Sequence, residues 1–487
     1  PSRPAPLLLL DVFRALIGLA LCLTACAPTA GRRGNTVILA SGADLQGVNP
    51  LLTTHPLARQ VQRYALLVTL FRYDSLLHPE PYLVRSWEWS ADSTELTLLL
   101  HSELRWHDRV RTTAYDVAWT LDAARDPATG YPRQSELASL REVEPFDDTT
   151  VVLRFGGAQE GIPDVLTDLA ILPEHLLGGV PPAEMRQAPW NRQPVGNGPF
   201  RFVAYQPNRR WIFEANPEFP PEMGGPPLLR RFVIAVVDEP TTKLAALTSG
   251  ELDLAGIHPG HANFVRRDPR LRVLDYPLLF TYALVFNLRR PPFDSLPIRR
   301  ALSLAIDRHS IVEGALFGFG TPAAGPLPPP LADTADPVPL FAPGRAIPLV
   351  GDGPLRFELL TVGSGEAALE QMIQAQLALV GIRAEIRQIE LSTFLDRVEG
   401  PSHDFQAAVM GVSGNLGLGH LAPLAALSGL RPEPDHERLV RLFADSLPAL
   451  FLYHARGVQG INRRVKGVRM DLRGELATLS QWRVDDR

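Results

Sequence analysis

Two kinds of hydrophobic pattern alternate along this chain: short apolar or period-two runs, and stripes at helical spacing. Residues 36–40, apolar after Thr36 and stopped by Ser41-Gly42, predict a buried strand running into a loop. Residues 87–106 alternate, break at Ala91-Asp92-Ser93 and resume, which predicts a hairpin. Thr113 with Asp116 three residues on marks a helix start, with Val117, Ala118, Leu121 and Ala124 on one side. Residues 150–155 read as a strand, 194–213 as a turn and two strands, 241–250 as a helix, and 252–254 and 281–287 as further strands. Ile298, Ala301, Leu302, Ala305 and Ile306 form an amphipathic stripe whose exposed face is expected to hold Arg299, Arg300 and Arg308.

Ten prolines between Phe319 and Pro354 predict an extended loop over most of that length. Beyond it the pattern is strand 355–362, helix 366–380 closed by Gly381, strand 382–389, helix 393–398 and strand 405–410. Such alternation implies an α/β fold with a largely parallel sheet. Sheets of this kind bind ligands at the carboxyl ends of their strands, which points to the loop after Met410.

The 487 residues carry 48 Lys+Arg against 53 Asp+Glu, and 45% are hydrophobic. More than one core can be buried, and no basic field is present for nucleic acid. Both cysteines, Cys22 and Cys26, lie in the first 26 residues, so no disulfide framework is possible downstream. Arg3 and Arg14 precede an uncharged run, 15–25, that is too short for about 30 Å of hydrocarbon but suits the apolar core of a signal peptide. Leu23-Thr24-Ala25-Cys26 resembles the bacterial lipobox, which implies lipidation of Cys26 and a membrane-surface tether.

Catalytic motifs are incomplete. Gly411-Val412-Ser413-Gly414-Asn415 lacks the last glycine of a nucleophile elbow, so a hydrolase is motivated by Ser413 alone. Gly318-Phe319-Gly320 does not extend to a dinucleotide fingerprint, and no phosphate-binding Gly-Lys-Ser/Thr occurs. His258-Pro259-Gly260-His261 reads as a surface turn and not as a zinc-binding helix. No cofactor or metal is expected.

Several separated segments resemble the peptide/nickel class of bacterial extracellular solute-binding proteins, which deliver ligands to ATP-binding cassette importers. Residues 82–92, with Trp106-His107-Asp108 and Thr113-Ala114-Tyr115-Asp116-Val117, are similar to the family's "SWEWS-x-DG … F-x-DG … TA-x-DV" pattern. Ser93 and Arg109 stand where glycine is usual, so both turns are expected to be made differently. Pro194-Val195-Gly196-Asn197-Gly198-Pro199-Phe200 is similar to "PVGTGPF", 249–254 to "SGEIDL", and 298–308 to "VRRALSLAIDR".

The resemblance implies a two-lobed periplasmic-binding-protein-like α/β fold of type II, in the large class with an extra subdomain in the first lobe. The expected division is a signal peptide at 1–25, a lipidated tether at 26–35, lobe I with its subdomain at 36–280, lobe II at 281–450, and a C-terminal return at 451–487. Hinge candidates lie near 282–287 and 451–454. The function implied is a monomeric lipoprotein receptor at the periplasmic or extracytoplasmic face of the envelope. It would pass a peptide-like or other small polar solute to a membrane permease, without enzymatic activity. The alternative is a receptor- or chaperone-like protein of the same fold that no longer binds a transport ligand.

Expected ligand contacts are Asp44, Gln46 and Asn49 in the loop after the first strand, Asn287 near the hinge, and Ser413, Asn415 and His420 after the last second-lobe strand. Trp190 is either a cleft stacker or a core residue. Residues 411–420 carry neither acid nor Trp, whereas peptide-binding relatives often place there an aspartate for the peptide's amino group. The segment between His420 and Phe451 is short, with no helical insert evident.

Overall fold

The computed structural model describes residues 34–329, 331, 338–351, 353–363, 365–414, 421–431 and 436–485. Among them one sheet of eleven strands runs through both halves of the molecule. In the first half the strands Thr36–Ser41, Arg231–Val236 and Leu254–Gly256 are mutually parallel, and the hairpin Phe200–Gln206 and Arg210–Ala215 closes the edge. In the second half Leu355–Val362 lies between the parallel strands Ile382–Ile389 and Ala407–Ser413. A separate four-stranded antiparallel sheet, Val84–Trp89, Glu95–Leu100, Leu140–Pro145 and Thr150–Phe155, forms a subdomain on the first half.

Two long strands join the halves. The outgoing strand Leu271–Phe286 and the return strand Ala449–Asn462 are antiparallel partners, and their register is interrupted between Pro277 and Thr281. Residues 271–277 pair with 456–462 on the first-half side, and 281–285 pair with 449–454 on the second. Alternation on the second-half segment is strict: Leu284 and Phe286 enter one core, while Ala283 and Val285 enter the core on the opposite face.

Most predicted elements form. The helix Ala114–Arg125 starts where Thr113 N donates to Asp116 Oδ2 at 2.8 Å, and strands 355–362 and 382–389 have the expected ends. Several expectations are corrected. The outgoing strand begins ten residues before the predicted 281. The proline-rich stretch contains a helix, Pro343–Val350, and two helices, Leu421–Ser428 and His436–Ser446, occupy the segment expected to lack them.

Arg299 and Arg308 are buried, not exposed. Arg299 donates to the carbonyls of Phe293 and Ser446, and Arg308 to those of Ser303 and Phe451. Burial drives the Arg308 pKa down to about 10, so it stays charged at neutral pH. Ser93 and Arg109 both hold a left-handed backbone, the region that favours glycine, at φ of +56° and +77°. Each accepts a left-handed backbone at a cost of about 1 kcal/mol. Trp190 is a core residue, its indole N–H donating to the Val195 carbonyl at 2.9 Å.

Candidate functional site

The sheet topology locates a cleft before any pocket is considered. Leu254 pairs with Ile461 and Gly256 with Gln459, so the parallel strands of the first half point their carboxyl ends toward the register interruption. Ala407 pairs with Phe286 and Ser413 with Phe280, so the parallel strands of the second half point theirs at the same place from the other side. Both sets of carboxyl ends face the crossing of the two long strands, where ligands bind in open α/β sheets.

An aromatic ladder lies on the second-half side of the crossing. Phe280 meets Tyr282 edge-on at 5.4 Å, and Tyr282 stacks on Tyr453 of the return strand at 4.9 Å. Gly411 is what lets Phe280 lie there, since a Cβ at 411 would come within 2.5 Å of the ring. On the opposite face Thr281 Oγ1 and His454 Nδ1 are 2.8 Å apart across the two strands. Burial pushes the His454 pKa down to about 4, so this imidazole is neutral at physiological pH. The ladder was not singled out from the sequence, although Phe280 and Tyr282 at a spacing of two are the signal that holds it.

The expected contact residues divide. Asp44 is taken up inside its own half: its carboxylate accepts from Trp211 Nε1 at 2.9 Å, from Tyr205 Oη and Asn208 N at 2.7 Å each, and from Gln46 N at 3.2 Å. Burial would raise its pKa, but these four donors outweigh it and hold the carboxyl below the usual range. Asp44 thus pins the first-lobe hairpin. Asp44→Ala is expected to cost about 2 kcal/mol, because the buried Trp211 indole loses its acceptor; an unmoved urea midpoint would count against this role.

Asn287 is corrected too. It follows the far end of the outgoing strand, away from the crossing, and its Nδ2 donates to the carbonyls of His403 and Phe405 at 2.9 and 3.1 Å. Asn49 is buried, with Nδ2 donating to Asn191 Oδ1 at 2.8 Å and Oδ1 accepting from Leu51 N at 3.0 Å. Gln46 and Ser413 are exposed beside the carboxyl ends of their strands. Gln46 edges a hollow of about 380 Å³ whose lining includes Thr53, His55 and Arg186. Asn415, His420 and Cys26 lie outside the described residues. A larger hollow of about 740 Å³, lined by Tyr64, Arg72, Leu274 and Arg473 among others, is built wholly from first-half and C-terminal residues. Among the described residues no group of three or more His, Cys, Asp or Glu is placed to hold a metal ion.

A family model described as bacterial extracellular solute-binding proteins, family 5 Middle, matches residues 78–421. The chain belongs to this family. Family 5 relatives include a Brucella ovis protein named as an ABC transporter peptide-binding protein, 29% identical over 327 residues. That alignment covers 64% of this chain and only 60% of the relative's length. The dipeptide-binding protein of Escherichia coli K12 is 24% identical over 528 residues, covering 94% of this chain and 97% of that one. Among solved structures, an ABC transporter substrate-binding protein of Listeria monocytogenes superposes with a TM-score of 0.82 at 20% identity, covering 93% of this chain and 99% of that one. The Bacillus subtilis oligopeptide-binding protein in complex with a nonapeptide gives 0.72 at 21% identity, with the same coverage. The family 5 fold is therefore the two-lobed one, with the long strands as the connection between lobes.

Proposed function

We propose that this chain is the substrate-binding component of an ATP-binding cassette importer. It captures a peptide or another small polar solute between its lobes and presents the closed form to a permease. The observation that carries this reading is the convergence of both sets of strand carboxyl ends on the interrupted crossing strands. Two connections that lose register together allow the lobes to close as rigid bodies, and closure is what a permease can read.

In this reading Gln46 and Ser413 touch the solute from opposite lobes, joined by Asn415 and His420. Lobe I spans 36–280 and lobe II 281–450, with 451–487 returning to the first. Residues 1–25 are a signal peptide, and lipidated Cys26 with its tether holds the receptor, as a monomer, at the extracytoplasmic face. The protein performs no covalent chemistry.

Thermal unfolding against a panel of peptides, sugars and metal chelates tests the proposal. A ligand at about a hundred times its Kd adds about 2.7 kcal/mol to stability, a readable rise in Tm. No rise across the panel would overturn the importer reading.

A further inference from the structure

The hollow of about 740 Å³ between the first half and the C-terminal segment takes no described residue from 281 to 450 into its lining. A ligand there would be held by one lobe and would need no closure. Four guanidiniums border it, those of Arg63, Arg72, Arg469 and Arg473. Three are taken: Arg63 by Asp168, Arg469 by Gln481 Oε1 at 3.0 Å, and Arg473 by Asp471 and the Tyr73 carbonyl. Arg72 is held more loosely. It faces Glu80 across the two-stranded sheet Phe71–Tyr73 and Pro79–Pro81, but their 3.9 Å separation is too long for a hydrogen bond, and both side chains are about half exposed.

Two phenols border the same hollow. The Arg72 guanidinium lies over the Tyr82 ring, 5.0 Å from its centre, and Tyr82 is 9% exposed. Tyr64 comes from the π-helical turn Gln62–Leu66, a helix irregularity that is frequent at functional sites. Among the described residues neither hydroxyl has a hydrogen-bond partner, and neither is sealed from open space. Burial raises both pKa values, that of Tyr82 to about 12, so each phenol stays a neutral donor. The acids of the wall are less available. Asp471 is spent on Arg473, and Asp74 accepts from the amides of Leu76 and His78. A wall with unused donors and few unused acceptors selects an acceptor-rich, anionic group.

We propose that this hollow is a second binding site, taking a small organic carboxylate with an apolar body. The carboxylate pairs with Arg72, whose planar fork suits two oxygens, while half-exposed Glu80 turns to water. Tyr64 and Tyr82 donate to the same oxygens, and Phe219, Met223, Leu274 and Met470 cover the apolar part. The volume falls in the range of small-molecule sites. Because lobe I and the C-terminal segment hold the ligand by themselves, the site does not depend on the receptor reading above.

Calorimetric titration of the purified chain with 2-naphthoate and with its neutral amide, 2-naphthamide, tests it. Wild type should bind the acid about tenfold or more tightly than the amide. Arg72→Gln should abolish that preference, a ratio that loss of packing alone would not change. Tyr82→Phe, which keeps the ring and removes the hydroxyl, should reduce the same ratio several-fold and decides the matter if Arg72→Gln does not fold. No binding of the acid by wild type, equal binding of acid and amide, or a preference that survives Arg72→Gln overturns the site. With Tyr82→Phe as the only folded variant, an unchanged ratio overturns it equally. The importer reading stands or falls separately, on the thermal panel.

Discussion

Asp168→Ala is expected to cost about 3 to 5 kcal/mol, a large part of the 5 to 15 kcal/mol that holds a typical fold. Asp168 ends the short helix Val165–Asp168 and receives Arg59, Arg63 and Arg133 at once, with Glu136 as a second acid on Arg133. Removing the carboxylate leaves three guanidiniums facing one another, two of them largely enclosed. Asp168→Asn keeps the volume and should lose nearly as much, which separates charge from packing.

The pH dependence has a definite sign. Burial alone would raise the Asp168 pKa, but Arg63, Arg59 and Arg133 outweigh it and bring it to about 2, from the ordinary 3.8. A carboxyl depressed in the folded state stabilises at pH above its unfolded value, and that contribution fades as pH falls from about 4 toward 2. Urea midpoints measured across that window should fall more steeply for wild type than for Asp168→Asn. Parallel curves, or an Asp168→Ala midpoint equal to that of wild type, would remove the cluster as a stabilising centre.

Gly198→Ala should also destabilise strongly, by about 3 kcal/mol, at the upper end of what overpacking costs. A Cβ at 198 would sit 2.4 Å from the Ala65 carbonyl oxygen and 2.7 Å from the Leu66 carbonyl carbon, backbone atoms that cannot rotate away. The close approach is itself bonded: Gly198 N donates to Leu66 O at 2.9 Å, and the Asn197 side chain accepts from Val68 N at 3.1 Å. His107 Nε2 lies 3.0 Å from Gly198 O. Burial pushes this imidazole's pKa down to about 4, so it is the neutral ring that bonds there. The alanine variant should show lowered Tm and loss of protection at the amides of Val68 and Gly198. A Tm within a degree of wild type would mean the two segments can separate without penalty.

The Pro194 to Phe200 motif was readable as a family signature, but its reason is a contact with residues 65–68, more than a hundred positions away. Local chemistry was legible where it decides structure by itself, as in the Thr113 cap, the period-two strand at 150–155 and the strand-helix-strand run from 355. Elsewhere a distant partner decides. Pro277 and the mixed residues before it hide the first half of the outgoing strand, which is a strand because 456–462 pairs with it. Arg299 and Arg308 look like surface charges until the carbonyls that receive them are known. Asp44 and Asn287 have the residue types of ligand contacts, but each is consumed by donors or acceptors of its own lobe. The cleft could be placed from the strand pattern, whereas the rings that line it could not, because one of them arrives on the return strand.

That return strand also orders events during synthesis. The strand Leu254–Gly256 reaches the crossing only by pairing with 459–461, and Arg464 bonds the fully buried Asp253 and the Thr36 carbonyl. The amino-terminal lobe, although made first, cannot be completed until nearly the whole chain has emerged. A chain folding from its amino end would therefore hold an open sheet edge until the return strand arrived.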